Sequence, residues 1–158
     1  MGTVSHAPPT ISMISATKAR VGRGERFAWA LVALACLSVL IVAAGLKPSS
    51  SGAGTHKQLG LNECGWVLAF GKPCFTCGMT TAFAHAADGR LDRSFVTQPF
   101  GALLSVGVAA GFWVGAFVAL TGSTVGRRCA GLLSPRLLWW YGGALTAAWA
   151  YKLATWPT

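Results

Sequence analysis

Residues 27–46, FAWALVALACLSVLIVAAGL, run twenty residues without a charge. At about 1.5 Å per helical residue, such a run spans the roughly 30 Å hydrocarbon core of a bilayer. The stretch reads as a first transmembrane helix. It is longer than the roughly 7–15 residues of a signal-peptide core, which favours an uncleaved anchor. Cys36, inside it, reads as a small packing residue.

The rest of the chain agrees with that reading. Hydrophobic residues make up 53% of it and charged residues 11%, against about 25% charged for a soluble domain. Phe100 to Thr121 is a second uncharged run of spanning length, opened by Pro99, where a missing backbone N–H costs least. Leu137 to Trp156 is a third, interrupted by Lys152, which lies near the end and is expected to snorkel to the interface. Trp139, Trp140 and Tyr141 at one end and Trp149, Tyr151 and Trp156 towards the other resemble two aromatic belts. Gly107, Gly111 and Gly115 recur every fourth residue in the second run. They should share a helix face that lets another backbone approach closely, from the first or third helix or from a second copy.

The expected fold is therefore all-α and integral to the membrane, with three transmembrane helices. Residues 1–26 form a disordered basic tail, 27–46 the first span, and 47–99 a linker and cysteine loop. Residues 100–121 form the second span, 122–136 a basic connection and 137–156 the third span.

Charge is one-sided, with 13 Lys and Arg against 4 Asp and Glu. The basic residues flank apolar runs, and no basic-aromatic motif accompanies them, which excludes nucleic acid as a partner and points to the lipid bilayer. The tail and the 122–136 connection lie on one side and hold seven basic residues, against five in the longer loop. The positive-inside bias puts the amino terminus in the cytoplasm and the cysteine loop outside.

The loop carries the chemistry. Cys64, Cys74 and Cys77 form a C-x9-C-x2-C pattern ending Cys74-Phe75-Thr76-Cys77-Gly78-Met79-Thr80. Residues 59–70 read as a short surface helix, Gly71-Lys72-Pro73 as a turn, and residues 79–87 as two helical turns stopped at Asp88-Gly89. Cys77 would then stand at a helix start, where the dipole favours a thiolate.

Three readings of the thiols stay open. Cys64, Cys74 and Cys77 could ligate a structural metal such as zinc, with a fourth ligand from His56 or Glu63. His85 is too far along the helix, at a rise of roughly 12 Å from Cys77. In the second reading, Cys64 pairs with Cys74 or Cys77 as a disulfide in an oxidising compartment. In the third, Cys74 and Cys77 act as a redox pair, without a thioredoxin-like fold around them. Arg90 to Phe95 reads as an amphipathic segment resting on the membrane. Paired catalytic carboxylates, a phosphate-cradling glycine loop and a His-Glu-x-x-His pattern are absent from the sequence.

Cys64, Lys72-Pro73-Cys74, Cys77-Gly78-Met79-Thr80, Gly89 and Pro99-Phe100 together resemble the bacterial membrane domain of unknown function 2752 family. Phe75 stands where the family usually has proline, Thr81 where arginine is common, Arg90 where aspartate often follows the glycine, and Gln98 in place of asparagine. The resemblance implies a protein of the bacterial inner membrane built around the motif, with no established activity. The expected function is non-enzymatic: a small multi-pass membrane protein whose cysteine centre serves assembly or binding of a membrane partner or a second copy. A thiol-redox protein is the alternative.

Overall fold

A computed structural model describes residues 20–131 and 134–156. The tail expected to be disordered lies, up to residue 19, outside the described residues. Among the described residues the fold is all-helical: α1 (Arg23–Gly45), α2 (Gly65–Phe70), α3 (Met79–Ala87), α4 (Leu91–Thr97), α5 (Pro99–Thr121), α6 (Val125–Ala130) and α7 (Pro135–Ala154), with a 3-10 turn at Thr55–Leu59.

The two charge-free runs form the long helices α1 and α5, each of 23 residues, which pack antiparallel. Their register is fixed at one end by polar contacts. Val21 N–H donates to Gly122 O at 3.0 Å. The Arg26 guanidinium donates to Ala119 O at 2.7 and 2.9 Å and to Leu120 O at 3.0 Å. A cation there satisfies the orphan carbonyls of the α5 C-terminus and meets the negative end of its dipole. Arg127 of α6 pairs with Glu25 of α1 at 3.0 Å on the same end.

Both helices are long and apolar enough to cross a membrane, with mean hydropathies of 2.6 and 2.1. Only 11% and 17% of their apolar windows are buried inside the protein. Phe27, Leu31, Leu34 and Ile41 of α1 and Leu103, Trp113 and Leu120 of α5 face outward, an apolar surface of the kind that marks a membrane or protein contact.

The α1–α5 seam uses small residues. A Cβ at Gly111 would lie 3.3 Å from Cys36 Sγ, and one at Gly115 3.0 Å from Trp29 O and 3.2 Å from Ala33. Gly107, expected on the same packing face, has open space beside it. An α-helix repeats every 3.6 residues, so positions four apart drift by about 40° per step, and a three-glycine row leaves the interface before its end. Gly111→Ala is expected to cost about 1 kcal/mol by overpacking, and Cys36→Ala in the same chain should recover most of it. A double-mutant cycle on thermal unfolding in detergent measures that coupling; strictly additive effects would show that the two residues do not meet.

The segment between α1 and α5 folds over their other end. Thr55 and Thr81 hydroxyls are 2.8 Å apart and buried, joining the 3-10 turn to α3. Ser94 Oγ donates to Ala82 O at 2.7 Å, joining α4 to α3. The buried Gln98 side chain caps α5 by accepting from Gly101 N–H. Thr81 and Gln98 thus both serve as buried polar joints.

The third apolar run folds as α7, but its Trp, Tyr and Gly residues and Lys152 leave it below the hydropathy of α1 and α5. Among the described residues two helices, not three, are long and apolar enough to cross a membrane. α7 starts beyond α6, which is tied to the start of α1, and its last turns sit in the cysteine loop. Lys152 does not snorkel outward. It is 7% exposed, and its Nζ donates to Gly52 O at 3.1 Å and Thr97 O at 3.2 Å. Nor do the aromatic residues at this end serve only as a belt. Trp149 Nε1 donates to Pro73 O at 3.0 Å, and Tyr151 Oη to Val96 O at 3.1 Å. At the other end Trp139 and Trp140 do face outward, Trp139 at 84% exposure.

Candidate functional site

Cys64 stands at the N-cap of α2. Gly71 ends that helix in a left-handed conformation, and the chain turns through the buried Pro73 into residues 74–77. Cys77 N–H donates to Cys74 O at 3.1 Å and Met79 N–H to Thr76 O at 3.0 Å, closing two successive turns before α3. Gly78, with φ +87°, is the N-cap of α3. Phe75 stacks on Trp149 at 4.2 Å between ring centroids, which joins the motif to α7.

These turns bring Cys64 and Cys74 to the wall of one cavity, near enough for the Cys74 thiol to favour ionisation of Cys64. Cys74 Sγ also lies 3.4 Å from Thr76 Oγ1. Burial works to raise the Cys64 thiol, but the amides of Val67, Trp66 and Cys74 and the Cys74 side chain outweigh it and hold the thiol below its ordinary range. Cys77 is different. It is 7% exposed, and burial, reinforced by the neighbouring Cys74 and Cys64, pushes its thiol from 9.0 up to about 11. The expected thiolate at the helix start is reversed, because desolvation outweighs the dipole of a nine-residue helix.

A thiol whose native pKa is raised stays protonated in the fold after the unfolded chain has begun to ionise. Its contribution to stability is therefore full below pH 9 and is lost as pH rises towards 11. Stability is expected to decline over that window in the wild-type chain and to decline less in Cys77→Ala. Equal alkaline slopes in equilibrium unfolding would show that Cys77 is not the group responsible.

Cys64, Cys74 and Cys77 line one cavity of about 630 Å³, together with Val39 and Val42 of α1 and Leu46, which caps that helix. His56 also lines it, with one ring nitrogen, Nε2, 3.1 Å from Asn62 O. Glu63 pairs with Lys57, which holds its carboxyl below the usual range. His85 lies elsewhere, in a polar cavity of about 480 Å³ with Arg90 and Arg93. Among the described residues no group of three or more His, Cys, Asp or Glu side chains is gathered closely enough to hold a metal ion.

The sequence reading missed the supports. Lys152 and Trp149 fix the loop from positions far along the chain, Gln98 caps α5 where the loop ends, and the one visible signal is a lysine inside an otherwise apolar run.

A helical chain with two apolar helices of spanning length and a folded cysteine loop between them is the class that fold and site define. Residues 64–112, from the first loop cysteine into α5, match the model of the family described as protein of unknown function, DUF2752. The resemblance read from the motif holds over that segment. No curated protein and no solved structure matches the chain.

Proposed function

We propose that the chain is a small multi-pass membrane protein whose cysteine loop is a thiol centre for assembly or partner binding, with Cys64 and Cys74 as its pair. The observation that carries the proposal is the approach of these two thiols at the wall of one cavity, with Cys77 buried beside them. This replaces Cys74 and Cys77 as the pair that exchanges: Cys77 is shielded and protonated at neutral pH.

In this reading α1, α5 and α7 all cross the bilayer. Support for α7 comes from its two ends: it begins next to α6, at the basic end of the α1–α5 pair, and finishes against Gly52, Pro73 and Thr97 of the loop. Its 20 residues cover about 30 Å. Arg20, Arg23, Arg26, Arg127, Arg128 and Arg136 gather at the basic end, six against the five Lys and Arg of the longer loop. That asymmetry supports a cytoplasmic amino terminus and an external thiol centre in the bacterial inner membrane.

The test is membrane-impermeant maleimide on intact cells, followed by peptide mapping. A Cys64–Cys74 cross-link that blocks labelling until reductant is added is the expected result. Labelling that requires cell lysis would reverse the topology. Labelling released by a chelator, with one zinc per chain, would replace the pair by a metal centre.

A further inference from the structure

The thiol pair faces a cavity that a membrane-length helix also lines. Val39 and Val42 lie within the last two turns or so of α1 and Leu46 caps it, at the level where the hydrocarbon core meets the headgroups if α1 spans. Phe83 of α3 adds an aromatic edge and His56 an imidazole. The volume, about 630 Å³, falls in the range of about 300–1,000 Å³ typical of small-molecule sites. A reactant that reaches this chamber from the lipid must be apolar and small enough for a cavity of this volume. To convert two thiols into a disulfide it must also accept two electrons and two protons.

We infer that the cavity between α1 and the cysteine loop binds a membrane quinone, which oxidises Cys64 and Cys74 to their disulfide. The inference rests on the Cys64–Cys74 pair proposed above. The Cys64 thiolate adds through sulfur to a ring carbon of the quinone, and a proton taken up at oxygen gives a thioether adduct. The Cys74 thiolate then attacks the Cys64 sulfur. The S–S bond forms as the S–C bond breaks, and the ring keeps the electron pair. A second proton completes the quinol. Two thiols have lost two electrons and two protons, and the quinone has gained both. The amides at the start of α2 favour the attacking thiolate, and the buried Cys77 takes no part.

The experiment uses the full-length reduced protein in lipid nanodiscs without oxygen, with decylubiquinone as oxidant and diamide as a water-soluble comparison. The expected result is one quinol formed per chain with loss of two thiols, a Cys64–Cys74 linked peptide, and no quinol in Cys64→Ser or Cys74→Ser. Val42→Trp and, separately, Val39→Trp should slow the quinone reaction at least tenfold relative to the diamide reaction of the same variant. Val32→Trp, nearer the start of α1 and outside the cavity, should leave the quinone rate unchanged. If diamide links Cys64 to Cys74 but quinone is not consumed, or if both cavity variants react with quinone at the wild-type rate, the quinone site is wrong while the thiol pair stands. If diamide fails to link the two cysteines, the pair itself is wrong and the quinone site falls with it.

Discussion

Gly78→Ala is expected to lower stability by about 3 kcal/mol and to expose Cys77 to alkylation. Gly78 holds φ +87° at the N-cap of α3, a left-handed conformation that costs an L-residue about 1–2 kcal/mol. Space adds a second penalty. A Cβ at this position would lie 2.8 Å from the Gly52 carbonyl oxygen and 3.3 Å from Lys152 Nζ. Neither neighbour can yield cheaply, because Lys152 donates to that same Gly52 oxygen. Overpacking of this kind costs about 1–3 kcal/mol. Gly89→Ala separates the two effects. Gly89 has φ +76° with nothing within 4 Å of an added Cβ, so its substitution should cost only the strain, about 1–2 kcal/mol. Thermal unfolding in detergent, followed with a thiol-reactive fluorogenic dye, reads both. A shift of roughly 6–12 °C for Gly78→Ala follows from about 3 kcal/mol in a chain of this size. Equal shifts for the two variants would mean that the loop backbone does not press on Gly78.

The contrast between these glycines also marks what the sequence makes legible. An uncharged run of twenty residues has one cheap structural solution beside lipid, so α1 and α5 could be read directly from residues 27–46 and 100–121. Punctuation by Gly71-Lys72-Pro73 and Asp88-Gly89 likewise placed the turn before Cys74 and the end of α3. Local signals could not reveal which thiol would be buried. Cys77 is covered by a loop that is held in place by Trp149 and Lys152, more than seventy positions later, and no rule of spacing connects them. The same gap explains Gly107: a four-residue repeat shows that glycines cluster on a face but not where the neighbouring helix diverges from it. The reading of Lys152 failed in the opposite direction. A lysine near the end of an apolar run ordinarily points to water, whereas here two backbone carbonyls are the nearer partners.

Lys152→Met is expected to cost about 2 kcal/mol and to loosen α7 from the loop. Met retains the length and apolar volume of the lysine stem, so the substitution removes chiefly the ammonium group. Two contributions oppose each other. A buried ammonium with no carboxylate beside it among the described residues carries a desolvation penalty, which the substitution relieves. Against this, Gly52 O and Thr97 O lose a charged donor, at about 1–3 kcal/mol for each acceptor left unsatisfied in a buried setting, and the contact of Nζ with the Trp156 ring at 5.8 Å is lost. The carbonyls win because there are two of them, one in the linker after α1 and one at the last residue of α4, so a single ammonium fastens α7 to both. Trp149 and Tyr151 keep their own bonds to Pro73 O and Val96 O, which limits the loss to local loosening. Cys77 should therefore alkylate faster in Lys152→Met while Cys36, in the α1–α5 seam, keeps its rate; equal acceleration of both would indicate global unfolding instead. Combined with Gly78→Ala the effect should fall short of additive, because both substitutions act through the Gly52 carbonyl.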